Sequence, residues 1–259
     1  MASEQYSASD IVTHHLEHWR VGEGMWAVNL DTIFFSMLCG VVMVFLLWLG
    51  ARKASSGVPS KMQNFVELLI EFADNSVKAT FHGPRDFMAP LALTIFLWVL
   101  FWNFLDLVPI DWIPLLAKTV FGLESLKIVP SADVNATFGL SISVLMLIIY
   151  YGIKGKGVLG FGKELMTHPF GANPLLVPFN LILNLVEMIA KPISLAMRLF
   201  GNLFAAELIF ILISLLPFWI LWAPDIVWAL FHLLVVPLQA FLFMTLTIIY
   251  ISLAYEDQH

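Results

Sequence analysis

Between Val177 and Pro217 an almost wholly apolar stretch of about forty residues carries Glu187, Lys191, Arg198 and Glu207. A charged side chain at membrane depth costs about 2.5–3.5 kcal/mol on insertion scales, so charges gathered in one apolar stretch mark a functional site. Arg198 cannot shed its proton at any accessible pH and is a fixed positive charge in a low-dielectric place. Glutamates and a nearby histidine can take up and release protons. The chemistry open to this set is proton movement past a permanent cation.

Helical geometry sorts these residues. On an ideal helix, residues seven apart differ by about 20° and residues four apart by about 40°, which puts Ser194, Lys191, Glu187 and Asn202 on or near the face of Arg198. Glu207 falls on the opposite side, about 180° away by the same count. The last apolar segment carries His232 and Gln239, seven apart on one face. An antiparallel hairpin turning between Pro217 and Pro224 would match Gln239 with Arg198 and His232 with Glu207 in one register. Gln239 is then expected to hydrogen-bond the guanidinium, and Glu207 with His232 to form a titratable pair. Plainer readings stand beside these. Lys191 can snorkel to a surface, Glu187 can be its counter-ion four residues away, and a lone His232 can be a satisfied buried imidazole. Asp106, Asp111 and Asp133 lie at span ends, where solvated caps are the default and an acidic mouth for protons is the alternative.

The elements that must position this set are helices in a bilayer. The 259-residue chain is 60% hydrophobic and 12% charged, with 22 Phe and 9 Trp. Soluble domains carry roughly twice that charged fraction, so the fold class is an all-α polytopic membrane protein. Transmembrane helices are expected at 32–51, 90–108 and 134–153, and an amphipathic interfacial helix at 61–82. A long hairpin is expected from 177–217 and 225–250. Forty helical residues reach roughly 60 Å against a hydrocarbon thickness of ~30 Å, so this hairpin is expected to be strongly tilted and bent near Pro192. The whole reads as a single membrane domain. Residues 1–30 read as a polar external tail; its His14, His15 and His18 lack a carboxylate or thiol framework for a metal. The connection 110–133 is expected to dip into the interface without crossing.

Several classes are disfavoured by composition. The net charge of −6 is dispersed and no basic run occurs, so a nucleic-acid partner is not expected. The single Cys39 permits no internal disulfide and no cysteine metal cluster. No cleavable signal or transit peptide is expected from the acidic N-terminal residues, and no internal repeat is evident. Basic residues alternate between connections. Arg52, Lys53, Lys61, Lys78 and Arg85 lie in the first, Lys118 and Lys127 in the second, Lys154, Lys156 and Lys163 in the third, and none in the fourth. The basic connections are expected to be cytoplasmic, which puts the N-terminus outside (periplasmic) and the C-terminus in the cytoplasm.

The run Lys191-Pro-Ile-Ser-Leu-Ala-Met-Arg-Leu-Phe-Gly-Asn202, with Glu207-Leu-Ile-Phe after it and Leu238-Gln-Ala-Phe in the last helix, resembles subunit a of bacterial F-type ATP synthases. The resemblance extends through Ser56-Gly-Val-Pro, Ala89-Pro-Leu-Ala-Leu-Thr-Ile-Phe, Asp106-Leu-Val-Pro and Pro130-Ser-Ala-Asp-Val-Asn. It implies a non-catalytic stator subunit of the bacterial inner membrane, without a cofactor, that carries protons to and from a ring of c subunits beside a dimer of b subunits. By that resemblance Arg198 is the essential arginine facing the ring, Asn202 and Gln239 are its neighbours, and Glu207 with His232 lines an aqueous half-channel. One position departs from the pattern. Relatives often carry a glutamate where this chain has Asn184, and Glu187 lies one turn nearer the arginine, so Glu187 is the preferred candidate for the cytoplasmic side.

Two other classes use similar residues. An ion antiporter, or an antiporter-like subunit of a respiratory complex, predicts transport without a ring and usually repeated halves. A haem-bearing subunit needs paired axial ligands, and His232 is the one histidine inside an expected span.

Overall fold

The computed structural model describes residues 20–22, 28–52, 54–55, 57–83, 87–108, 119, 127–171 and 173–256. The three N-terminal histidines, Asp111 and most of the 110–133 connection lie outside them. After a two-residue antiparallel ladder (β1, Arg20–Val21; β2, Val28–Asn29) the described chain is helical. The helices are α1 (Leu30–Ala51), α2 (Lys61–Thr80), α3 (Met88–Phe104), α4 (Val134–Thr167), α5 (Val177–Ser214) and α6 (Phe218–Tyr255). Five of them, all but α2, are long and apolar enough to cross a bilayer. The protein is a helical polytopic membrane protein.

Local chemistry explains where these helices begin and bend. Ser60 caps α2, its Oγ accepting from the Gln63 N–H at 3.2 Å, and satisfies one of the four orphan donors of the first turn. One face of α2 is buried through Gln63, Val66, Ala73 and Val77, while Phe65, Leu68 and Ile70 are exposed. Gly50 permits a close approach there, since a Cβ on it would lie 2.5 Å from Val66 Cγ2. The short η segment Leu105–Leu107 ends α3. Asp133 Oδ1 accepts from the Asn135 N–H at 2.9 Å and so caps α4.

Two elements run past their expected ends. The third span continues beyond Ile153 to Thr167, interrupted at Gly157, whose φ of 72° and ψ of 163° no other residue adopts cheaply. The Lys154-Gly-Lys-Gly run, expected as a polar exit, is therefore a swivel. Phe161 beyond it packs on Gly152, where an added Cβ would sit 2.9 Å from its ring. The last helix starts at Phe218 instead of near Asp225 and ends at Tyr255 instead of Tyr250, with Pro224 and Pro237 inside it. α5 is continuous through Pro192. The 38 residues of α5 and of α6 are joined through Leu215–Pro217. At ~1.5 Å per residue each reaches roughly 57 Å, which a straight helix fits into ~30 Å of hydrocarbon only by inclining or protruding.

The chain forms two compact units. The first comprises Met1–Trp48, Leu97–Ala136 and Leu199–Ala240, and the second Leu49–Phe96, Thr137–Arg198 and Phe241–His259. In the first, Phe35, Ile128, Val129, Ala132 and Leu203 form a buried cluster with Leu105 against it. In the second, Phe72 packs on Phe96 and Phe241, with ring centroids 5.2 and 5.9 Å away, and Phe81 on Tyr255 at 5.5 Å. Ser252 Oγ donates to the Thr80 carbonyl at 2.9 Å, holding the end of α6 on the last turn of α2.

Candidate functional site

In the first unit, charge is buried and paired across long stretches of sequence. Lys127 Nζ lies 3.0 Å from Glu207 Oε2, and both side chains are 5% exposed. The Lys127 N–H donates to Asp31 Oδ2 at 3.1 Å, and its ammonium stands 5.9 Å over the Phe204 ring. His232 Nε2 lies 2.6 Å from Asp106 Oδ2, again with both side chains buried. The two are not lined up as a hydrogen bond, so the contact is an ion pair whenever the imidazole carries its second proton. Phe210 meets the imidazole edge-on at 5.8 Å. Asp133 Oδ2 accepts from Thr32 Oγ1 at 2.8 Å and Asn29 Nδ2 at 2.7 Å.

These distances correct three expectations. Glu207 is paired with Lys127, and His232 with Asp106 instead of Glu207. The residues just after α3 and just before α4 supply the counter-charges, which a two-helix register cannot anticipate. Asp106 and Asp133 are buried, at 7% and 5% exposure, so neither is solvated, although Asp133 does cap α4. Lys127 is a buried partner and not a loop charge. Removing it from the tally leaves the second connection still less basic.

Asn202 and Gln239 do meet, Asn202 Nδ2 donating to Gln239 Oε1 at 2.8 Å. This is the hydrogen bond that the register assigned to Arg198. The Gln239 amide nitrogen is buried with no hydrogen-bond partner among the described residues. Asn103, fully buried, donates to the Val236 carbonyl at 3.4 Å.

In the second unit the α5 pair is local. Lys191 Nζ lies 2.9 Å from Glu187 Oε1 one turn away, as the counter-ion reading expected, and 5.6 Å over the Tyr250 ring. Glu187 is the more exposed partner, at 64% against 22%. Arg198 is half-buried and donates weakly to the exposed Ser194 Oγ at 3.4 Å. Among the described residues no carboxylate is paired with it. Asn184 has a different task from the one its position suggested. Its Nδ2 donates to the Leu165 and His168 carbonyls at 2.9 and 2.8 Å, and Asn180 Nδ2 to those of Met166 and Gly171 at 2.9 and 3.1 Å. The last carbonyls of a helix have no partner within it, and these two amides, one turn apart on α5, satisfy the end of α4.

Sequence reasoning missed Lys127, Asp31 and Asp106 as members of the buried set. The available signal was a lone basic residue running straight into Ile128-Val129-Pro130, and an aspartate one turn past Asn103 at the end of an apolar helix.

Known proteins resemble this chain along nearly its whole length. A family profile described as ATP synthase A chain matches residues 33–252. ATP synthase subunit a of Alkalilimnicola ehrlichii is 56% identical over 252 residues, covering 97% of this chain and 98% of the relative. ATP synthase subunit a of Halorhodospira halophila is 53% identical over 99% of each chain, and ATP synthase subunit a 1 of Photobacterium profundum 52% identical over 99% of this chain and 98% of its own. A profile spanning most of the chain, with end-to-end relatives at more than half identity, shows that the chain belongs to the ATP synthase subunit a family.

Proposed function

We propose that this chain is the proton-translocating, non-catalytic stator subunit of a rotary ATP synthase in a bacterial inner membrane, with the N-terminus outside and the C-terminus in the cytoplasm. It acts as one membrane domain with α2 at the interface, beside a ring of c subunits and a b-subunit dimer. Protons enter from outside through the buried set of Glu207, Lys127, Asp106 and His232. The carboxylates of Asp31, Asp106, Asp133 and Glu207 outnumber Lys127 and His232 there, and a surplus of negative charge favours cations. A proton then neutralises a carboxylate on the rotor, travels with the ring, and leaves past Glu187 and Lys191.

The observation that carries this reading is Arg198. It sits on α5 between the exposed Ser194 and Asn202, at four-residue spacing, amid exposed Ile189, Ile193 and Met197. Lys127 and Lys156 both have carboxylate partners, whereas Arg198 has none among the described residues. A permanent cation on an exposed, largely apolar helix face is left for an anion from outside the chain. A rotor carboxylate fits: the guanidinium stabilises it when ionised and repels a proton that would cross directly between the two polar paths. A lysine is a poor replacement, since a buried ammonium can lose its proton and lacks the planar fork. The membrane potential supplies about 2.3 kcal/mol per charge per 100 mV, so several protons combine for each ATP.

Cysteine cross-linking tests the assignment. In a Cys39→Ser background, Ser194→Cys and Asn202→Cys should each form disulfides with cysteines on the outer helix of the c ring in assembled complexes. Cross-links to the b subunits or to none would overturn it.

A further inference from the structure

A cavity of about 520 Å³ in the second unit is bounded by Lys156, Glu164 and His168 on one side and by Asn184, Glu187 and Lys191 on α5. Lys156 Nζ grips both Glu164 carboxylate oxygens, at 2.6 and 2.7 Å, and its side chain is only 3% exposed. Residues eight apart on a continuous helix are separated by about 12 Å along the axis. The break at Gly157 brings these two together. A nearly buried ammonium holding a carboxylate at the wall of a roomy cavity exceeds what closing a surface turn requires. With two acids and two ammonium groups the lining is close to neutral, which disfavours an anionic headgroup or phosphate as occupant. The volume has room for several waters at ~30 Å³ each. Asn184 is committed to the carbonyls at the end of α4, so the cavity's titratable acids are Glu164 and Glu187.

We infer that Glu164, positioned by Lys156, is a proton-relay group on the second-unit path, working with Glu187. This rests on the proposed proton-translocating function. A hydronium in the cavity gives its proton to the Glu164 carboxylate and becomes water. The neutral acid then passes that proton to a water on the open side, restoring the carboxylate and its contact with Lys156.

The test uses complete ATP synthase in inverted membrane vesicles, with passive proton conductance measured after removal of the catalytic head under a potassium diffusion potential. Glu164→Gln should lower conductance about ten-fold or more at unchanged complex content, and Glu164→Asp should restore most of it. If Glu164→Gln does not assemble, the paired change Lys156→Gln with Glu164→Gln removes both charges together and should assemble with the same low conductance. Parental conductance in an assembled Glu164→Gln or paired variant, or Glu164→Asp conducting no better than Glu164→Gln, overturns the inference. Arg198→Ala in vesicles that keep the catalytic head separates the two levels: if it still synthesises ATP the proposed function fails, whatever Glu164 does.

Discussion

The buried pairs of the first unit and the exposed helix-surface pairs of the second handle charge in different ways. In the first, Lys127 and Glu207 come from positions 80 residues apart, are nearly inaccessible, and share their neighbourhood with Asp31. In the second, Glu187 and Lys191 are one turn apart and half in the open, and Asp74 pairs with Lys78 in the same way. A buried pair holds the fold together because neither member can be left alone, whereas a local exposed pair is replaceable by water. The first arrangement fixes the geometry of its groups, and the second leaves its groups open to water.

The contrast is broken most directly at Lys127. Lys127→Met takes the ammonium away from buried Glu207 and should cost about 3–5 kcal/mol, seen as a large loss of assembled protein and of thermal resistance in detergent. Lys127→Met combined with Glu207→Met should recover most of that stability while proton conduction stays low. A mild Lys127→Met phenotype would place this pair in the same class as those of the second unit.

A smaller effect is expected at the amide clamp. Asn180→Leu leaves the Met166 and Gly171 carbonyls without their donor and should destabilise by about 1–3 kcal/mol, with faster proteolysis after Thr167 as the local signature. The smallest belongs to the exposed pair. Glu187→Gln should change stability by only about 0.3–0.5 kcal/mol. Any loss of conduction it causes, measured at equal complex content, then reports on the path and not on folding.

Legibility from sequence follows the same division. The five spanning helices were readable because runs of about twenty apolar residues have few other uses. The Glu187–Lys191 pair was readable because its partners lie one turn apart on one helix. Asn202 and Gln239 were each expected beside Arg198, but they hydrogen-bond one another, and the guanidinium was named as the wrong end of the bond. Periodicity gives faces and registers; it does not say which of several polar groups at similar depth will meet. Lys127 and Asp106 were hidden for a stronger reason. Their partners Glu207 and His232 are supplied by other helices, and such contacts depend on how more than two elements pack. Gly157 was hidden too, since a glycine after a lysine reads equally as a loop or as a break inside a helix.

The central claim is that Arg198 is a permanent cation kept for an anion that none of the described residues provides. Coupled ATP synthesis by membrane vesicles containing Arg198→Ala, with the complex shown to be intact, tests it most directly. The account predicts that synthesis is abolished, and undiminished synthesis would contradict it.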